Sequence, residues 1–192
     1  MNNVKRNFSF IAALIFALTA VAGAGDPTAF ELAKMGNDYV GIQSKDKLVQ
    51  IRSEKSVGSL TPNIWYVVYY DPDATFKAVE VKFGGGQKMN VSRPLRVLEM
   101  ANDKHMVLDK DKLKVDSDRA LKIATSQPFL HNLTLRASRL ILAHSDEGLV
   151  WKVQLWAAKL KDPNDDADIG VVILSATDGS VVKTDLHPNR VD

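Results

Sequence analysis

Two stretches constrain this chain most: Ile64–Tyr70 (IWYVVYY) and Val150–Trp156 (VWKVQLW) read as one strand written twice. Their tryptophans, Trp65 and Trp151, lie 86 residues apart, and similar segments flank each in the same order. A capped helix and a charged strand come before. An acidic loop and an apolar strand that ends at a glycine turn come after. A repeat of this length is too long for a solenoid unit and implies a duplicated small domain. The expected fold is α+β: two tandem α-β-β-β repeats, each an antiparallel sheet packed on one helix.

The first repeat, residues 25–90, opens with Asp26-Pro27-Thr28-Ala29-Phe30-Glu31, where Thr28 and Glu31 have the spacing of a capping box. The helix ends near Gly36-Asn37 or runs on toward Ile42. Lys47–Lys55 (KLVQIRSEK) follows as a strand with Val49 and Ile51 on one side. Residues 91–115 join the repeats, with a strand over Val91–Glu99 that carries Pro94 at an edge position and a solvated connector over Lys104–Lys114. The second repeat, residues 116–192, starts at a helix capped by Asp116 or Ser117, with Asp118 placed where the helix dipole favours negative charge and Pro128 closing it. In the strand Leu133–His144 the apolar phase changes between Ala137 and Leu140, which predicts a bulge. After the Trp strands come Phe76–Phe83 and Ile169–Ser175, which meet turns at Gly84-Gly85-Gly86 and Thr177-Asp178-Gly179. From Trp to last Gly is 21 residues in one half and 28 in the other, because the second acidic loop is longer.

Alternation within the Trp strands separates core from surface. Trp151, Val153 and Leu155 share one face, and Lys152 and Gln154 point the other way, as in a half-solvated antiparallel strand. In the first half Trp65, Val67 and Tyr69 form the equivalent inner face, but Tyr66, Val68 and Tyr70 on the other side are also apolar or aromatic. That outer face therefore needs a cover: the inter-repeat segment, the other repeat, or a partner. Trp65 and Trp151 read as core. Tyr66, Tyr70 and Trp156 fall on the opposite face and are the candidate interaction surface.

The first 24 residues have the layout of a cleaved secretory signal peptide. Lys5 and Arg6 precede the apolar run Phe8–Val21, and Ala22-Gly23-Ala24 supplies small residues for cleavage. The run is shorter than the ~20 apolar residues that span a bilayer, so no stable membrane insertion is expected after cleavage. No cysteine stands near the cut to carry a lipid. Loss of Lys5 and Arg6 would lower the 25 basic residues to 23, equal to the 23 acidic ones. No basic stripe marks a nucleic-acid binder. The absence of cysteine removes thiol catalysis, iron–sulfur clusters and cysteine zinc sites, and leaves burial alone to hold an exported protein together. A periplasmic or secreted location is expected.

A helix Ala120–Ala124 (ALKIA), the strand Trp151-Lys152-Val153-Gln154-Leu155, and Ile173–Val182 with its Asp178-Gly179 turn together resemble the PepSY domain family. The resemblance extends to the first half through Trp65-Tyr66-Val67 and Val79–Gly86, where Gly84-Gly85-Gly86 replaces the Asp-Gly turn. PepSY domains are small extracytoplasmic α+β modules, found notably in propeptides of thermolysin-like peptidases. The resemblance implies a binding module that contacts or regulates a peptidase. It carries over no catalytic residue, because the matching positions are structural.

Other patterns point to no chemistry. Asp162, Asn164, Asp166 and Asp168 alternate like the start of a calcium loop, but Ala167 and Ile173 stand where an EF-hand needs Gly and Glu. A solvated turn is the expected reading, with no metal. His105, His131, His144 and His187 form no short metal-binding spacing. No catalytic residue and no cofactor site are expected. The chain reads as an exported, non-catalytic module for a protein or peptide partner. Two other classes stay open. One is a small periplasmic enzyme, for which His144 would have to converge with Asp146 or Glu147; the other is a self-associating envelope protein.

Overall fold

The computed structural model describes residues 26–94 and 107–192. The expected leader lies outside the described residues, as do most of the expected strand Val91–Glu99 and the start of the connector. What is described is an antiparallel eight-stranded sheet with two short α-helices, a mixed α+β architecture. Along the chain run α1 (Ala29–Gly36), β1 (Leu48–Ser53), β2 (Ile64–Tyr70), β3 (Ala78–Gly84) and β4 (Gln87–Ser92). Then come α2 (Ser117–Thr125), β5 (Leu135–Ser145), β6 (Gly148–Ala158), β7 (Asp166–Ser175) and β8 (Val181–Leu186). Among the described residues no helix is long and apolar enough to cross a membrane.

The spatial order is β4-β3-β2-β1-β5-β6-β7-β8, so each half contributes a four-stranded meander and the meanders meet at β1 and β5. Instead of one sheet per half there is a single shared sheet. The physical reason is the edge: β1 and β5 standing alone would each leave a row of unpaired backbone groups. Their ladder is short, with Ile51 opposite Leu142 and Arg52 opposite Ile141. Buried serines extend it. The Ser53 Oγ accepts from the Leu140 N–H at 2.9 Å, the Ser56 N–H donates to the Ser138 carbonyl at 2.8 Å, and the Ser138 N–H donates back to the Ser56 Oγ at 2.9 Å.

Both helices lie on one face of the sheet and cover the core. Trp65, Val67, Tyr69, Val81 and Phe83 from the first half and Leu140, Leu142, Trp151, Val153, Val172 and Leu174 from the second are buried in one cluster with Leu32, Ala33, Ala120 and Ala124. The capping box of α1 forms as expected, with Thr28 and Glu31 bonding reciprocally. Its helix ends at Gly36 and tightens into a 3-10 turn over Asn37–Tyr39. Gly36 is dictated by Tyr69, whose hydroxyl donates to the Ala33 carbonyl and fills the space a Cβ would need. The two helix N-termini meet. Ser117 Oγ accepts from Ala29 N–H at 3.0 Å, and Asp116 Oδ1 accepts from Phe30 N–H at 3.1 Å while also capping its own helix. The α2 cap therefore satisfies free donors of α1 as well.

Three local expectations are corrected. In β1 the register shifts between Leu48 and Gln50, so Leu48 and Ile51 enter the core and Val49 is the extra residue. In β5 the bulge lies between Leu135 and Ala137, before the place predicted. The extra residue there moves the core-facing phase from Leu135 to Ser138, and because a buried serine stands at that position, bonding the Leu60 carbonyl at 2.6 Å, the apolar pattern shows the change only at Leu140. The strand after the Gly84-Gly85-Gly86 turn begins at once, at Gln87, because Gly85 and Gly86 both take positive φ and close a two-residue hairpin.

Candidate functional site

The face of the sheet away from the helices carries the residues singled out as a possible surface. Pairing fixes their rows: Arg52 stands opposite Tyr66, which stands opposite Lys82, and Gln50, Val68 and Glu80 form the next row. Val68 is fully buried in this row although it faces away from the helices. Charged neighbours lie over the two tyrosines of this face. The Arg52 guanidinium lies 4.2 Å and the Lys82 ammonium 5.0 Å from the centre of the Tyr66 ring, and Lys47 lies 5.7 Å from that of Tyr70. Aliphatic stems over apolar surface and cations over ring faces are both favourable.

In the second half, Lys55 from the first half lies 4.8 Å from the centre of the Trp156 ring and pairs with Asp166 at 2.6 Å. A single extra residue builds this corner. Pairing between β6 and β7 is offset at Ile169, so that Leu155 faces Gly170 and Trp156 faces Asp168. Ile169 is buried, and Asp168 stands in the row of Trp156, where it accepts from Gln154 Nε2 at 2.6 Å. Gly170 at this offset has φ of 111°, and the Asp185 backbone of β8 occupies the place of a Cβ.

Tyr66 and Trp156, from different halves, line one concave site of about 420 Å³ on the open face. Arg52, Ser53, Glu54, Lys55 and Arg139 complete its wall. Tyr70 is not part of it: four residues further along β2 is a distance of about 13 Å. Two of the three candidate residues are thus brought together and one is not. Trp65 and Trp151 are core, each with its indole N–H satisfied, by the Pro62 carbonyl at 2.9 Å and by the Val115 carbonyl at 2.7 Å.

Charges around the groove are coupled. The Tyr66 hydroxyl donates to the Glu54 carboxylate, and this bond, helped by Lys82 at 3.2 Å, holds the Glu54 carboxyl below its ordinary range. The Tyr66 hydroxyl and Glu54 in turn push Lys82 up. Glu80 behaves in the opposite way: burial raises it, and the attraction of Arg52, with which it is ion-paired, only partly offsets that. Arg52 therefore touches both a buried carboxylate and an aromatic ring. Sequence reasoning missed Arg52, Lys55 and Arg139. The signal available was that Arg52 lies in the alternate position to Ile51; nothing local marked Arg139, which comes from 87 residues further along the chain.

Elsewhere, Asp162 accepts from Asn164 N–H at 3.1 Å, Asp165 pairs with Lys159, and Asp166 and Asp168 belong to β7 rather than to a loop. Among the described residues no group of three or more His, Cys, Asp or Glu side chains is placed to hold a metal ion. His144 lies at the end of β5 with a buried Nε2 that has no hydrogen-bond partner among the described residues. No hydrogen bond joins it to Asp146 or Glu147 there, and the Glu147 carboxylate accepts from Ser145 Oγ at 2.7 Å instead. Compared with known proteins, the chain matches no family model, no curated protein and no solved structure.

Proposed function

We propose that this chain is an exported, non-catalytic binding protein, a tandem pair of PepSY-like α+β modules fused into one sheet, and that it binds a secreted or envelope protein, a peptidase being the first candidate. The observation that carries the reading is the convergence of Tyr66 and Trp156 in one groove on the open face. Each half supplies one ring, and the groove lies where the halves join, so a duplicated module acquires a site that neither half has alone. The duplication itself is supported by the recurring order of one helix and four strands and by the equal roles of Trp65 and Trp151. Partly exposed aromatic rings beside arginine are the composition that protein interfaces favour.

Affinity capture from the native periplasmic extract tests the reading, using the mature chain and a Tyr66→Ala, Trp156→Ala double variant. A peptidase or other exported protein should be recovered by the first and lost by the second, and with purified components its affinity should fall at least about tenfold, as for an interface anchor. Equal recovery by both forms removes the groove from the interaction. Turnover of a substrate by the purified chain alone removes the non-catalytic reading. A second reading, self-association, is favoured by one observation: β4 and β8 are the outer strands of the sheet, and their residues are almost all exposed. Light scattering that shows a stable oligomer would support it.

A further inference from the structure

We infer that the groove at the β1–β5 seam receives an acidic polypeptide segment, extended along Arg52–Lys55, with a carboxylate paired to Arg139 and its apolar atoms against Tyr66 and Trp156. This rests on the proposal that the open face is the binding surface, and adds the chemistry of what binds.

Charge is the first argument. Three cations, Arg52, Lys55 and Arg139, line the groove against a single carboxylate, Glu54. That carboxylate is already engaged by the Tyr66 hydroxyl and by Lys82. Arg52 and Lys55 are balanced by Glu80 and Asp166, which come from β3 and β7. Arg139 differs from both. It is exposed, and among the described residues it makes no ion pair and no side-chain hydrogen bond. A planar guanidinium with its donors uncommitted fits a carboxylate through two parallel N–H···O bonds.

Shape is the second argument. The stretch Arg52–Lys55 along the groove is about 10 Å long at the rise of extended chain, which matches three or four peptide residues and exceeds a lone inorganic anion. A ring at each end, held in place by Arg52 and Lys82 on one side and Lys55 on the other, gives apolar contact between charged points. A nucleic-acid strand fits less well, because its regular phosphates need an unbroken basic track and Glu54, Glu80 and Asp166 interrupt this one.

The test is a titration of the mature protein with capped hexaglutamate and capped hexaglutamine, read by calorimetry and by tryptophan fluorescence. Hexaglutamate should bind at least about tenfold more tightly at low salt, and the advantage should shrink as salt screens it. Arg139→Gln, its fold checked by near-ultraviolet circular dichroism, should lose about tenfold in hexaglutamate affinity and little for hexaglutamine. Equal binding of the two peptides, or unchanged binding by Arg139→Gln, overturns the inference. Arg139-dependent retention on phosphatidylglycerol vesicles without hexaglutamate binding also overturns it, and assigns the groove to a lipid surface. The two proposals fail separately. If a captured partner depends on Trp156 but not on Arg139, the binding face stands and the acidic ligand falls. If hexaglutamate binding needs Arg139 while no partner needs Tyr66 or Trp156, the acidic site stands and the reading of the aromatic rings as the partner's anchors falls.

Discussion

Each half has a Trp-bearing strand, β2 and β6, and the two strands serve different ends. On the helix side they agree: Trp65 and Trp151 are both buried, both have satisfied N–H groups, and both alternate with other core residues. On the open side they part. The first half presents Tyr66 and Tyr70 beneath its own cations with a buried Val68 between them, and the second presents Lys152, Gln154 and Trp156 with the polar pair half-solvated. Strand length differs too, since β5 and β6 have 11 residues each where β1 has 6 and β2 has 7. The helix side of such a sheet has to satisfy one shared core, so its residues are interchangeable in kind. The open side meets no such demand, and there the halves diverge.

The sharpest way to break this comparison is to remove each tryptophan. Truncating a buried Trp to Ala costs on the order of 3–5 kcal/mol. Trp151→Ala should fall at the upper end and Trp65→Ala lower. Trp151 is the more fully buried, and it stacks on Phe30 of the first half with ring centroids 6.3 Å apart, so its loss loosens contacts between halves. Urea denaturation of both variants measures the difference. Equal costs would mean that the bridge to Phe30 contributes nothing.

The open faces should differ next. Arg52→Ala leaves Glu80 as a buried carboxylate without its cation, which should cost roughly 2 kcal/mol at neutral pH, somewhat less than for a fully buried pair. Glu80 is raised by burial even with Arg52 present, so its folded form binds a proton more readily than its unfolded form. Its contribution to stability is fully present below the ordinary glutamate range and is lost as pH rises through the raised value. The penalty of Arg52→Ala should therefore shrink on acidification, and Glu80→Gln should remove that pH dependence. Lys152→Ala on the second half should stay within about 0.5 kcal/mol, as at ordinary surface sites. Between Arg52→Ala and Lys152→Ala in size, Asp116→Ala should cost about 1–2 kcal/mol, because it uncaps α2 and also frees a donor of α1. Thr28→Ala, which touches α1 alone, should cost about 1 kcal/mol. Thermal melts rank the two, and the reverse order would break the link between helix termini.

What could be read ahead of the structure was whatever depends on neighbours in the chain. Thr28 and Glu31 announced the first cap, alternation put Trp65 and Trp151 inside, and the glycine run placed a turn. The bulges at Val49 and Ile169 were illegible, because one added residue changes which face a strand presents without changing its composition. The seam was illegible for another reason: the partners of Ser53 and Ser56 lie more than 80 residues away, and a serine that replaces a ladder bond looks like any polar residue. The groove inherits both limits. Tyr66 and Trp156 stood out as rings on the outer face, but Arg139 acquires meaning only once β5 lies against β1.

The closing turns of the two halves offer the finest comparison. The first, Gly85-Gly86, owes its geometry to two residues at positive φ and has no titrating group in it. The second is held by a carboxylate: Asp178 accepts from the Ser180 N–H at 2.9 Å and from its hydroxyl at 2.7 Å. Those bonds, with a smaller one from Ser175, pull Asp178 down to about 2 from its ordinary value of 3.8. A group depressed in the folded state stabilises above its unfolded value, and that contribution is lost as pH falls from 3.8 toward 2. Asp178 is fully exposed, so the effect is small and local. In wild type, hydrogen exchange of the Ser180 amide should quicken relative to other amides as pH drops through that window, while the amide of Gln87, which follows the glycine turn, should show no such relative change. Asp178→Asn should flatten the first profile and leave the second alone. A pH response at Gln87 equal to that at Ser180 would show that both turns loosen through the shared sheet and not through the carboxylate.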